Sequence, residues 1–152
     1  MAYQNYAICT EHTTDSCIVV KEHKSQFVLC NDSRLKVEKI KVDGCLSDGK
    51  TGQHKQCDWL FVIPKTKQCK KMTALYIELK GSRIDKAEKQ LQETVERTKD
   101  RFAAAKRQCF IVTTRVPCHD TVVQKMKKRF SRQGLSLQIK TGTLKYSIQG
   151  GL

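Results

Sequence analysis

CDWLFVI (57–63), the polar connection PKTKQCKKM (64–72) and TALYIELK (73–80) form the stretch from which the rest of the chain can be read. Each flanking run is short, apolar and rich in β-branched and aromatic residues, the signature of a strand, and the turn-rich segment between them predicts an antiparallel pairing. The run at 37–46 precedes them across the Gly-containing loop SDGKTGQHKQ, so 37–46, 57–63 and 73–80 together predict an antiparallel meander. Immediately after Gly81 the period changes. Ile84, Ala87, Leu91, Thr94, Val95, Thr98, Phe102 and Ala105 recur at three and four residues, which predicts one amphipathic helix from about Asp85 to Lys106.

Beyond the helix, CFIVTT (109–114) lacks alternation, as expected of a parallel strand covered on both faces. Pro117 then opens a second helix carrying Val122, Val123, Met126 and Phe130. Gly134 ends that helix, and LSLQIK (135–140) makes a last strand. Upstream, Ile18–Val20 and Gln26–Cys30 read as further strands. The sum is an α/β fold, a mixed central sheet of about five strands with flanking helices, preceded by N-terminal β strands. With 152 residues and no dividing linker, we expect a single domain: a strand-rich segment at 1–36, a core at 37–114, and a basic helix with a terminal strand at 115–152.

Twenty-nine Lys and Arg against fifteen Asp and Glu give a formal net charge of +14. That surplus exceeds what solubility requires and points to a polyanion, nucleic acid before membrane. No apolar run reaches the roughly 20 residues needed to cross a bilayer, and the N-terminus lacks the pattern of a signal peptide, so a cytoplasmic, reducing setting is expected. The eight cysteines, several inside apolar runs, are accordingly expected to be reduced and mostly buried. His54 with Cys57 and Cys118 with His119 are isolated pairs, too few to predict structural zinc.

Alternate residues of a strand share a face, so Tyr76, Glu78 and Lys80 point one way, while Leu75, Ile77 and Leu79 point into a core. Asp58 opens the preceding strand, and in an antiparallel hairpin the start of one strand neighbours the end of the next. Asp58 and Glu78 should therefore meet. A Glu two residues before a Lys ordinarily makes only a weak surface pair; the conjunction with an Asp-initiated strand and a following amphipathic helix carries the reading. Trp59 and Phe61, on the face opposite Asp58, are expected to be core rather than a base-stacking platform.

These residues resemble the PD-(D/E)xK nucleases, whose signature is an Asp on one strand and Glu-x-Lys on the next, followed by a helix. The resemblance runs from CDWLFVI through YIELKG into KAEKQLQET and spans roughly 37–114. Cys57 stands where a Pro often precedes the Asp. The resemblance implies a restriction-endonuclease-like core and a catalytic set of Asp58, Glu78, Lys80 and Gln90. Asp58 and Glu78 would bind Mg²⁺ or Mn²⁺, and Gln90 would position. A further acidic ligand, common in the family, has Glu22, Glu38 and Asp43 as candidates. Members often dimerise to cut two strands, so a homodimer is possible.

Substrate capture falls to basic residues: Lys106, Arg107, Lys125, Lys127, Lys128, Arg129 and Arg132, with Lys65, Lys67, Lys70 and Lys71 in the hairpin connection. The expected function is thus metal-dependent hydrolysis of phosphodiester bonds, in DNA before RNA. The rivals are a noncatalytic basic nucleic-acid-binding protein and a small protein-binding assembly or inhibitor module. Metal-dependent cleavage separates the first reading from both.

Overall fold

The meander is present and forms half of a larger sheet. The structure, a computed structural model, describes residues 2–47, 49, 55–80, 83–115 and 120–148, and of Lys80 the backbone alone. A single helical turn, α1 (Tyr6–Cys9), leads into β1 (Thr10–Thr13), followed by the hairpin β2 (Cys17–Glu22) and β3 (Ser25–Cys30). The meander comprises β4 (Val37–Lys41), β5 (Trp59–Ile63) and β6 (Thr73–Lys80). Next come α2 (Ile84–Arg97), α3 (Lys99–Phe102), β7 (Lys106–Thr113), α4 (Asp120–Arg132), β8 (Ser136–Thr141) and β9 (Thr143–Ser147).

The main sheet has six strands rather than five, in the order β1-β4-β5-β6-β7-β8. It is antiparallel from β1 to β6 and parallel from β6 to β8, where α2 and α4 supply the crossovers. The N-terminal strands β2 and β3 do not extend this sheet. They pair with β9, whose TLKYS the sequence reading left unassigned, to make a second sheet in the order β2-β3-β9.

Both faces of the main sheet are therefore covered, which explains the apolar runs of its central strands. Leu60, Val62, Tyr76, Cys109 and Ile111 pack against Ala87, Leu91, Val95, Phe102, Met126 and Phe130 of the helices. Phe61, Ile63, Leu75, Ile77, Phe110 and Val112 pack on the other side against Ile18, Val20, Phe27, Leu29 and Leu144 of the small sheet. The expected alternation in β6 holds. Its outward face, however, is not wet: Tyr76 is fully buried and Glu78 is 1% exposed. Trp59 and Phe61 lie in or against the core between the sheets, as their periodicity predicts.

Three boundaries differ from the sequence reading. The strand expected at 37–46 stops at Lys41, because Val42–Cys45 form a turn in which Gly44 takes φ +85°, a left-handed conformation that favours glycine. The single helix expected from Asp85 to Lys106 breaks at Thr98, whose hydroxyl bonds to the Thr94 carbonyl and to the buried Tyr76 hydroxyl at 2.6 Å. Anchoring that threonine in the core ends the regular helix, so Lys106 and Arg107 open β7 and do not lie at a helix end. The second helix does end before Gly134, at φ +75°, while its expected start at Pro117 lies outside the described residues.

The cysteines correct a further expectation. Cys9 and Cys45 form a disulfide that ties the end of α1 to the turn after β4, across a separation of 36 residues. Proximity in the folded chain, invisible from spacing, makes the pair. Of the other described cysteines, Cys57 and Cys109 are buried and free, whereas Cys17 is exposed and Cys30 and Cys69 are partly buried. Among the described residues, no helix is long and apolar enough to cross a membrane.

Candidate functional site

Pairing of β5 with β6 continues one residue beyond the strand, since the Asp58 N–H donates to the Ile77 carbonyl at 3.1 Å. That register sets Asp58 opposite Glu78. The two carboxyls face each other there and interact, and Asp58 Oδ2 accepts a 2.7 Å bond from the Leu79 N–H. The Asp58 carbonyl in turn receives the N–H groups of Val42 (3.1 Å) and Asp43 (3.4 Å) from the turn after β4. Asp58 is thus held by two strands and a turn.

Burial pushes the Asp58 carboxyl up to about 6, against the opposing pull of the Leu79 N–H; Glu22, and more weakly Asp43, raise it further, and the interaction with Glu78 lowers it. Two of the three candidates for a further acid therefore bear on Asp58. Glu38 does not join them: it pairs with Val62, toward the other end of β5, and its carboxylate lies 3.6 Å from His12. Cys57 is fully buried beside the pair, and burial followed by the Glu78 charge drives its thiol well above the usual range, so it stays neutral.

Helix α2 braces the segment leading to Asp58. The Cys57 N–H donates to Thr94 Oγ1 at 2.8 Å, and that hydroxyl donates to the Gln90 carbonyl at 2.8 Å. The Gln90 amide reaches the Gln56 carbonyl at 3.4 Å, two residues before Asp58, while Gln90 Oε1 is buried with no hydrogen-bond partner among the described residues. Turning the amide over would move the deficit to the nitrogen, so one end of Gln90 is left for a further polar group either way. Lys80 ends β6 with its backbone opposite Thr113; its side chain lies outside the described residues. The contribution of Thr94 was legible in its place one turn after Gln90, whereas nothing in the sequence signalled the Leu79 N–H.

Comparison with protein-family models, curated proteins and solved structures finds no match.

Among the described residues, no group of three or more His, Cys, Asp or Glu side chains is arranged as a metal site. The donor set of Asp58 and Glu78 suits a hard divalent cation nonetheless: both donors are carboxyl oxygens, they face each other across the strand pair, and Glu78 is buried while Asp58 is partly so. Two such donors leave the remaining positions of an octahedral ion to water and phosphate. The zinc hints contribute nothing to this, because Cys57 is enclosed in the core and His54, Cys118 and His119 lie outside the described residues.

The basic residues fall into two groups. Lys125, Lys128 and Arg132 are exposed on α4 and Lys127 is partly buried there, while Arg129 is taken up by a two-point contact with Glu88 at 2.8 Å. Lys106 and Arg107 lie in register with Thr73 and Ala74, at the opposite end of β6 from Glu78. They are not beside the acidic pair.

Proposed function

We propose that the protein is a divalent-metal-dependent phosphodiesterase acting on nucleic acid, with DNA as the first substrate to test. The observation that carries this reading is the cross-strand pairing of two carboxyls, Asp58 partly buried and Glu78 fully so, in a chain whose net charge is +14. Such a pair repels itself when ionised and is relieved by a cation. It also lies at the end of a meander followed directly by an amphipathic helix, the order that the PD-(D/E)xK resemblance requires. We read the mixed main sheet as a restriction-endonuclease-like core.

Asp58 and Glu78 would hold Mg²⁺ or Mn²⁺. When bound, that ion supplies Lewis-acid polarisation of a phosphate and acidification of a water molecule. Asp58 is kept in register by the Leu79 N–H, which leaves its other oxygen to ligate. Lys80, two residues further along β6, would offset negative charge on a bound phosphate or orient a water molecule there. Gln90 positions polar groups near the approach to Asp58, and Thr94 holds Cys57 and hence the chain leading to that carboxyl. Glu22 and Asp43 strengthen the negative field and favour a cation at this end.

The basic α4 supplies long-range attraction for the substrate. Incubation of supercoiled, linear, single-stranded and branched DNA, and of RNA, with Mg²⁺, Mn²⁺ or EDTA tests the proposal. Cleavage that EDTA abolishes and Glu78→Gln removes supports it. DNA binding without cleavage under every condition favours the noncatalytic alternative.

A further inference from the structure

The strongest concentration of positive charge outside α4 lies at the end of the sheet away from the acidic pair. The connection between β5 and β6 carries Lys65, Lys67, Lys70 and Lys71 within seven residues. Lys65, Lys70 and Lys71 join Arg101 of α3 around a cleft of about 400 Å³. Lys106 stands next to it, in a second hollow of about 330 Å³ shared with Cys69, Thr73 and Gln108. Neither lining contains a carboxylate.

Among the described residues, Arg83 pairs with Asp85, Arg97 with Glu93, Lys99 with Glu96 and Arg129 with Glu88. Among the described residues, none of the four hairpin lysines nor Lys106 has such an ion pair. Arg101 is fixed in place by its guanidinium lying 4.2 Å from the centre of the Tyr6 ring. Asp100 beside it is one negative charge against at least five positive ones. The Cys69 thiol responds to its surroundings. Hydrogen bonding to the Lys71 backbone and to Thr73, and then the Lys106 and Lys71 charges, hold it below its ordinary value. Crowding like charge into one hairpin is self-repulsive, and a polyanion relieves that repulsion.

We propose that this hairpin end is a second anchoring surface for nucleic acid, gripping phosphates about 17 Å from the acidic pair, roughly five base-pair steps of duplex away. The separation follows from the five residue steps along β6 from Thr73, in register with Lys106, to Glu78. The substrate class rests on the nuclease reading, but the test does not require cleavage.

Binding of duplex DNA of unrelated sequences is measured in EDTA as a function of salt, for the parent and for the triple variant Lys65→Ala, Lys70→Ala, Lys71→Ala. The slope of log affinity against log salt should become shallower by about two to three units, equally for all sequences, at an unchanged thermal midpoint. In the parent, the same duplex should slow alkylation of Cys69 several-fold, read by peptide mass. An unchanged slope or an unprotected Cys69 overturns the proposal. So does retention on polyglutamate or anionic phosphatidylserine vesicles at a salt concentration that releases duplex, because the partner is then an acidic protein or a membrane. Steep, lysine-dependent DNA binding in a protein that never cleaves supports this surface while overturning the nuclease reading.

Discussion

Asp58 Oδ2 accepts a 2.7 Å hydrogen bond from the Leu79 backbone N–H, which locks the carboxyl across the β5/β6 pair, between Glu78 and Lys80 in sequence. Asp58 is therefore a structural acceptor as well as a candidate ligand. Removing it leaves a partly buried N–H without that partner, at a cost of about 1–3 kcal/mol. At pH 4, where the folded chain holds this carboxyl protonated, Asp58→Ala should lower stability by that amount in urea unfolding, and Asp58→Asn, which keeps an oxygen for Leu79, should lower it by less. Equal losses would mean that the hydrogen bond contributes nothing.

The raised Asp58 carboxyl sets a pH dependence whose sign is fixed. With a value of about 6 when folded against 3.8 ordinarily, the folded chain holds this proton more tightly than the unfolded one. The resulting stability is complete below the unfolded value and is lost as pH rises through the folded one. In EDTA, stability should fall between pH 4 and 7 by on the order of 2 kcal/mol from this group, and Asp58→Asn should flatten the decline. Parallel profiles for parent and variant would assign the effect elsewhere.

Reduction should cost the fold measurably, since the Cys9–Cys45 bridge closes a loop of 36 residues and stabilises by about 2–4 kcal/mol on chain-entropy grounds. Thermal unfolding of Cys9→Ser with Cys45→Ser should match that of the reduced parent, both well below the oxidised protein. If reductant leaves the midpoint unchanged, the pair is not bridged in solution.

What could be read from the sequence follows from which forces are local. Strand pairing of 37–41, 57–63 and 73–80, the parallel crossover to 109–113 and the meeting of Asp58 with Glu78 all follow from period and turn length. What escaped depends on contacts between distant segments. β9 lies two residues past β8 yet pairs with β3, more than a hundred residues earlier, so no local pattern announces the second sheet. Glu78 likewise reads as a residue on a wet strand face, yet it shares the face of Tyr76, which the helices cover, and is buried. The break at Thr98 was hidden for the same reason: its apolar neighbours keep the helical period, and only the Tyr76 hydroxyl from across the core picks it out.

That hydroxyl pair yields a further expectation. Tyr76 and Thr98 are both buried and 2.6 Å apart, so Tyr76→Phe leaves the Thr98 hydroxyl with only its own helix carbonyls and should destabilise by about 1–2 kcal/mol. Thr98→Val should cost a similar amount, and the double variant less than the sum. Full additivity in denaturant unfolding would show that the two hydroxyls are not coupled.

The central claim, that Asp58 and Glu78 together hold a divalent ion, is tested most directly by a Mn²⁺ titration of thermal unfolding at pH 7.5 in the parent, Asp58→Asn and Glu78→Gln. The account predicts a midpoint that rises with Mn²⁺ in the parent by mass action and is nearly insensitive to Mn²⁺ in both variants. Identical shifts in all three proteins would contradict it, because the ion would then be binding somewhere other than this pair.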